Sequence, residues 1–126
     1  MTPDDFPRLF AAAFGAGDSG AIAAFLAEDA QVLTLTGASA EDALAAETAL
    51  AAEFTGIFAT ARLVTGRQRL RLLGPGGAVL HQRYVVAGAR DATGQEMPRF
   101  GAMLTVVLLA RTDGWRAVSF SFSALT

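Results

Sequence analysis

The sequence contains no cysteine and only one histidine, one tyrosine and one tryptophan among 126 residues. Without cysteine the chain can form no disulfide, no thiolate metal site and no thiol nucleophile. A single histidine leaves only scattered carboxylates as further metal ligands, so we expect no bound metal, and we also expect no cofactor. The absence of cysteine suits a reducing compartment, and the expected location is therefore cytoplasmic.

Long apolar runs and an excess of charge are also missing. The longest apolar stretch, residues 102–110, is far too short to cross a bilayer, and the segment Met1–Asp5 lacks the positive start and apolar run of a signal peptide. We therefore expect a soluble, uncleaved protein with no membrane partner. Every basic residue is an arginine, but the net charge of −2 gives no attraction for phosphate backbones, so nucleic-acid binding is disfavoured.

What the sequence has in quantity is apolar residues, which make up 52% of the chain against 17% charged residues. This composition is typical of an ordered domain with a substantial core. The length fits one core, and no linker, repeat or low-complexity block interrupts the chain. We therefore expect a single domain over residues 1–126.

The first quarter of the chain predicts two short helices. The apolar residues of the first recur at helical spacing over residues 6–14: Phe6, Phe10, Ala13 and Phe14. This helix ends at Gly15, and Asp18 or Ser19 can cap the second. The predicted apolar face of the second helix consists of Ile22, Phe25 and Leu26. The two helices should meet in a corner.

A short strand and a long helix follow in the prediction. Residues 31–36 are rich in valine, leucine and threonine, which favours a strand. Ser39 can then pair with Asp42 in a capping-box arrangement that begins a helix running to about Thr60. The apolar face of this helix consists of Leu50, Phe54, Ile57 and Phe58.

The period changes from helical to alternating at Arg62. Turn residues at 74–77, 89–95 and 112–114 divide the rest of the chain into four strands. These strands begin at Arg62, Ala78, Met97 and Trp115. A sheet that is apolar on one face needs a cover, and only the three N-terminal helices can supply it. The prediction is therefore an α+β fold, a curved antiparallel sheet wrapped around three helices.

Four local segments carry a resemblance to a known superfamily. They are Phe14-Gly15-Ala16-Gly17-Asp18, Phe25-Leu26-Ala27-Glu28-Asp29-Ala30, Leu72-Leu73-Gly74-Pro75 with Ala78-Val79-Leu80-His81, and Asp113-Gly114-Trp115-Arg116. In this order the chain resembles the nuclear-transport-factor-2-like (NTF2-like, cystatin-like) superfamily, and within it the SnoaL-like and SgcJ/EcaC-like bacterial branch. The resemblance covers nearly the whole chain and implies a cone-shaped α+β barrel with an apolar pocket.

The resemblance also implies a homodimer formed through the outer face of the sheet and a small apolar or aromatic ligand. Ketosteroid isomerases and polyketide cyclases of this type move a proton beside a carbonyl with a carboxylate from the first strand. Thr34 lies near that position here, and a hydroxyl cannot act as that base unaided. This departure argues against isomerase chemistry.

Three residues of one predicted strand are candidates for the site. His81 is the only imidazole, and it lies where the branch often has a histidine. His81 and Arg83 either orient an anionic or carbonyl ligand or lie on the outer face at a dimer interface. Tyr84 points to the opposite face, where its phenol either polarises a carbonyl or packs in the core. Alternation alone does not decide which face is internal.

Other candidates lie on the long helix and the last strand. Glu47 is close to the apolar helix face and could replace the missing base, although a glutamate in an alanine-rich helix is more often solvated. Ser119 and Ser121 belong to a serine row that lines either a pocket or a solvated or interfacial face. Arg67, Arg69 and Arg71 form one row of an exposed strand, with an anion site as the alternative.

The preferred hypothesis is a binding protein for a small apolar molecule. Its predicted pocket wall consists of Phe10, Phe14, Phe25, Phe54, Phe58, Met103 and Trp115. The same residues could be core without a cavity, because aromatic residues at these spacings mainly serve packing. Two alternatives stay open: a lyase or isomerase that uses His81 with Glu47, and a non-catalytic dimerisation or assembly domain whose interior is filled by side chains.

Overall fold

Three helices precede the main sheet in the computed structural model, which describes residues 1–125. After a 3-10 turn at Pro3–Asp5, they are α1 (Phe6–Gly15), α2 (Ser19–Ala24) and α3 (Ala43–Phe54). Asp18 caps α2 by accepting a hydrogen bond from the Ala21 amide at 2.9 Å. Within the described residues, no helix is both long and apolar enough to cross a membrane.

Six strands form one sheet with the spatial order β2-β1-β6-β5-β4-β3. They are β1 (Leu26–Leu33), β2 (Ser39–Ala40), β3 (Arg62–Leu72), β4 (Gly77–Ala87), β5 (Phe100–Arg111) and β6 (Gly114–Ala124). Neighbouring strands are antiparallel except β1 and β6, which run parallel. The sheet is curved and unclosed, so the α+β prediction is confirmed.

Five predicted boundaries were wrong, and two of them concern α3. The cap of α3 is Asp42, which accepts a hydrogen bond from the Ala45 amide at 2.7 Å, whereas Ser39 belongs to β2. The helix ends at Phe54 and not near Thr60. The β-branched Thr55 and then Gly56 follow at once, and both have low helix propensity, so the chain continues as turns.

The other three corrections concern β1 and β5. β1 ends at Leu33 and not at Thr36, since the chain turns at residues 35–37. β1 begins at Leu26, which was predicted to lie on α2, because Leu26 pairs in parallel with Ala117 of β6. The amide of Ala117 also donates to the Phe25 carbonyl at 2.9 Å. β5 begins at Phe100 and not at Met97, since the intervening Pro98 has no amide hydrogen for a strand ladder.

The core lies between the helices and one face of the sheet, and burial shows which face that is. On β4 the side chains of Leu80, Gln82, Tyr84 and Val86 are buried, whereas those of His81, Arg83 and Val85 are exposed. The even-numbered residues of β4 therefore face the helices. This decides the alternation that the sequence left open.

Gly88, directly after β4, allows the chain that follows α3 to pack closely against the end of β4. Its φ of +81° is unfavourable for other residues, and a Cβ atom there would lie 2.5 Å from the Thr60 carbonyl oxygen. The Thr60 hydroxyl donates to the Gly88 carbonyl at 2.9 Å. The chain after α3 can approach β4 this closely only because residue 88 lacks a side chain.

Candidate functional site

Eight aromatic rings meet between the helices and the inner face of the sheet. This ring cluster consists of Phe6, Phe10, Phe14, Phe54, Phe58, Tyr84, Phe120 and Phe122, none of which is more than 8% exposed. Phe10 is central and contacts five other rings at centroid distances of 5.3 to 6.2 Å. These distances are typical of direct aromatic packing. Four of the residues predicted to line a pocket therefore pack against one another.

Tyr84 is held in the ring cluster by its hydroxyl group. The phenol donates a hydrogen bond to the Pro7 carbonyl oxygen at 2.8 Å, and burial raises its pKa well above the ordinary value. A hydroxyl that donates its one proton to the main chain cannot donate it to a ligand carbonyl. The geometry at Tyr84 thus favours packing over ligand contact.

The remaining predicted pocket residues lie outside the ring cluster. Phe25 is half-buried and packs edge-on against Phe6 at 5.6 Å. Trp115 is half-buried beside the turn between β5 and β6, and Met103 is half-buried on the outer face of the sheet. The structure therefore does not bring the seven predicted wall residues around one space.

The predicted polar residues also separate into two places. His81, Arg83, Ser119 and Ser121 lie on the outer face of the sheet, where His81 pairs with Thr105 and Thr105 pairs with Ser121. Glu47 is on α3 and lines an open groove of about 870 Å³ beside the β5–β6 turn. His81 and Glu47 therefore do not share a cavity, although the lyase or isomerase hypothesis used them together.

Besides Thr34, two buried polar residues were not among the predicted site residues. Glu53 is 7% exposed; one carboxylate oxygen accepts a hydrogen bond from the Thr36 hydroxyl at 2.6 Å, and the other has no partner within residues 1–125. Gln82 is fully buried and donates to the main-chain carbonyls of Gly66 and Arg83 at 3.0 and 2.8 Å, at a bulge in β3. The helical period does place Glu53 beside Leu50, but nothing local signals Gln82.

The outer face of the sheet carries a basic groove at the margin formed by β3 and β4. This basic groove, about 480 Å³, is lined by Arg69, Leu70, Arg71, Leu73, Val79 and His81. Arg69 lies directly opposite His81 in the strand register. In the described part of the chain, only Arg8 and Arg116 form ion pairs with a carboxylate. The arginines of the basic groove therefore have no acidic partner within residues 1–125.

A second depression lies at the opposite margin of the same face. This polar groove, about 320 Å³, is lined mainly by outward-facing residues of β1, β2 and β6, among them Gln31, Leu33, Ser119 and Ser121, and by Glu41, which follows β2. Between the two grooves, Val107 and Met103 of β5 are only half-buried and Leu109 is 37% exposed. Leu33, in the polar groove itself, is also 37% exposed. The outer face thus combines apolar residues with opposite charge at its two margins.

Comparison with known proteins places this fold. No family model and no curated protein matches the chain. An uncharacterised protein with a cystatin-like fold from Caulobacter vibrioides matches with a TM-score of 0.84 at 18% identity, covering 94% of this chain and 84% of that one. A candidate calcium/calmodulin-dependent protein kinase II association domain from Xanthomonas campestris gives 0.81 at 20% identity, covering 97% and 84%. A candidate dehydratase of the NTF2-like family from Streptomyces avermitilis gives 0.77 at 13% identity, covering 99% of each chain.

At these identities the likeness concerns the fold alone. The chain has the cystatin-like fold of NTF2-like proteins, so the fold that the resemblance implied is confirmed. The matching structures carry different descriptions, from an association domain to a dehydratase. Function must therefore be argued from the residues of this chain.

Proposed function

We propose that this chain is a non-catalytic assembly domain that forms a homodimer through the outer face of its sheet. The observation that carries the proposal is the contrast between the two faces. The inner face is occupied by the ring cluster, whereas the outer face exposes apolar residues on adjacent strands. Exposed apolar residues on adjacent strands are a feature of protein interaction sites.

The residues at the middle of the outer face suit close packing of two sheets. Ser119, Ser121 and Ser123 form a row of small side chains on β6, and their partners on β5 are Val107, Thr105 and Met103. A row of serines beside Val107, Thr105 and Met103 of the same sheet leaves a low surface, on which a second sheet can pack at the usual spacing of about 10 Å. The proposed interface thereby explains the serine row without a pocket.

Sedimentation velocity at micromolar protein concentration tests this proposal. We expect the wild-type chain to sediment as a dimer and Val107→Glu to shift it toward monomer, because a charge would be buried in the middle of the interface. Leu44→Glu is the matched control, since Leu44 is 75% exposed on α3 and does not lie on the outer face of the sheet. A wild-type monomer, or equal effects of the two substitutions, would overturn the proposal.

Small-molecule binding is the second candidate, and the open groove beside Glu47 is the observation that favours it. Arg111 and Arg116 line the groove together with Glu47 and an apolar floor that includes Leu26 and Ala43. Such a surface suits a small ligand with an apolar body and both signs of charge. In a fragment titration followed by NMR, shifts around the groove in the wild type and their loss in Glu47→Gln would support this function. Shifts that are unchanged in the variant would count against it.

Isomerase or cyclase activity has weaker support from the geometry. Proton transfer beside a carbonyl needs a base within hydrogen-bond reach of a substrate in a shielded site. Glu47 lines an open groove, and His81 is exposed on the other side of the sheet. A ligand between the helices and the sheet would have to separate rings whose centroids are 5 to 6 Å apart. The assembly proposal needs no such rearrangement.

A further inference from the structure

We infer that the basic groove is filled by the Glu41 margin of a second copy of this chain, so that the two-fold axis of the dimer runs parallel to the strands. The inference rests on the proposed dimer and specifies how its two sheets face each other. It concerns the two grooves at opposite margins of the outer face.

Strand register places the two grooves at the same height on the sheet. Arg71 of the basic groove pairs with Val79, which pairs with Val107; Val107 pairs with Ser119, and Ser119 with Gln31. Gln31 lines the polar groove together with Glu41. A single line across the sheet, perpendicular to the strands, therefore joins Arg71 to Gln31, which lies beside Glu41 in the polar groove.

Symmetry then decides which margin meets which. In a two-fold dimer the same patch serves both copies, so contact of Arg71 with Glu41 of the partner occurs twice. A rotation axis that runs parallel to the strands, between β5 and β6, leaves each residue at the same position along the strands. It places the β3 margin of one copy over the β2 margin of the other, which brings Arg71 over the partner's Glu41. An axis that lies in the interface and runs perpendicular to the strands places each margin over the same margin of the other copy. The arginine-rich margins of the two copies would then face each other. Opposite charges at the margins favour the first arrangement.

The same arrangement explains an electrostatic feature of the single chain. Arg69 and Arg71 line one groove with His81, and no carboxylate within residues 1–125 is in ion-pair contact with them. Arginine suits a carboxylate because its planar guanidinium can donate two parallel hydrogen bonds. The carboxylate of Glu41 is exposed and has no hydrogen-bond donor among the described residues.

A charge-swap experiment tests the pairing. Arg71→Glu alone and Glu41→Arg alone should each weaken dimerisation about tenfold or more, because each puts like charges in both symmetric contacts. An equimolar mixture of the two variants should form heterodimers with near wild-type affinity, since both contacts then join opposite charges. The doubly substituted chain should also form homodimers. Sedimentation velocity and native mass spectrometry measure these species.

Controls separate this inference from the proposed function. Arg62→Glu makes the same charge change on β3 at a height beyond the end of β1, and it should leave the dimer unchanged. Circular dichroism of each variant checks folding. A wild-type monomer overturns both proposals, whereas a wild-type dimer whose two variants fail to form heterodimers overturns only the pairing. Inorganic phosphate that binds the wild-type dimer in the basic groove, with no change in dimerisation for Arg71→Glu, would also overturn the pairing and indicate a free-anion site.

Discussion

Tyr84 connects two parts of the molecule that are far apart in the sequence. Its ring packs against Phe10 and Phe122 at 6.0 and 5.9 Å, and its hydroxyl bonds to the Pro7 carbonyl at the start of α1. Tyr84 is the only tyrosine, so its ionisation can be observed directly by absorbance. Burial raises the pKa of this phenol because the phenolate is poorly solvated in an apolar interior.

The raised pKa of Tyr84 predicts a loss of stability at alkaline pH. Because the folded pKa exceeds the unfolded value of 10.0, the contribution of the neutral phenol is fully present below pH 10.0 and is lost as the pH rises above it. Absorbance at 295 nm should show phenolate forming at higher pH in the native protein than in denaturant. Tyr84→Phe should cost about 1 kcal/mol at neutral pH and reduce the fall in unfolding free energy above pH 10.0. Native phenolate at the same pH as in denaturant would contradict this account.

Single residues also show where sequence reasoning ends. The alternation of β4 correctly grouped His81 with Arg83 and Tyr84 with Gln82. It did not show which pair faces inward, because both sets mix polar and apolar residues. The buried carboxylate of Glu53 accepts a hydrogen bond from the hydroxyl of Thr36, which lies in the turn after β1. A contact of this kind depends on how α3 packs against that turn, which the local sequence does not specify.

At the scale of elements, the start of α3 distinguishes two capping schemes. The pattern from Ser39 to Asp42 predicted a capping box, whereas in the structure Asp42 itself accepts the amide hydrogen of Ala45. Ser39 is instead paired with Leu33 as part of β2. Because Ser39 pairs with β1, it is not available to cap the helix. Local propensity does not predict this pairing.

Substitutions at the two positions should differ accordingly. Asp42→Ala should lower the free energy of unfolding by about 1 kcal/mol, because the first turn of α3 loses a charged acceptor. Ser39→Ala should change it by less than about 0.5 kcal/mol, since this exposed serine caps nothing. Urea denaturation of both variants measures these differences. A larger cost for Ser39→Ala would support the capping box.

Among the strands too, pairings between sequence neighbours were predicted and a long-range pairing was not. Alternation and turn residues predicted the meander of β3 to β6 because its partners are sequence neighbours. The parallel pair of β1 and β6 was not predicted, since Leu26 and Ala117 lie near opposite ends of the chain. Long-range pairing therefore accounts for the misplaced start of β1.

At the scale of the whole molecule, the amphipathic halves of the sequence predicted that helices would cover the sheet, and they do. Whether the covered space is a pocket or a filled core depends on the volume left between the rings. Small shifts of the helices relative to the sheet change this volume, and the helical or strand periodicity of a sequence does not specify them. The spacing of these phenylalanines in the sequence is consistent with a ligand pocket, but in the structure they form a packed cluster.

Removing the central ring provides a direct test of the filled interior. Phe10→Ala should lower the free energy of unfolding by about 3–5 kcal/mol, because five ring contacts are lost and a cavity remains. Far-UV circular dichroism and Trp115 fluorescence should report one shared transition, since the helices are too short to persist without the sheet. Leu44→Ala is the control, with an expected change below about 0.5 kcal/mol.

The cavity in Phe10→Ala should also bind an apolar probe that the wild type does not bind. Benzene should raise the Tm of the variant by binding only its folded state, as expected for a dry cavity lined with apolar side chains. The wild-type Tm should not change, because the ring of Phe10 already occupies that space. An equal rise in both proteins would show that the wild-type rings separate readily, and it would favour small-molecule binding in the interior over the assembly function.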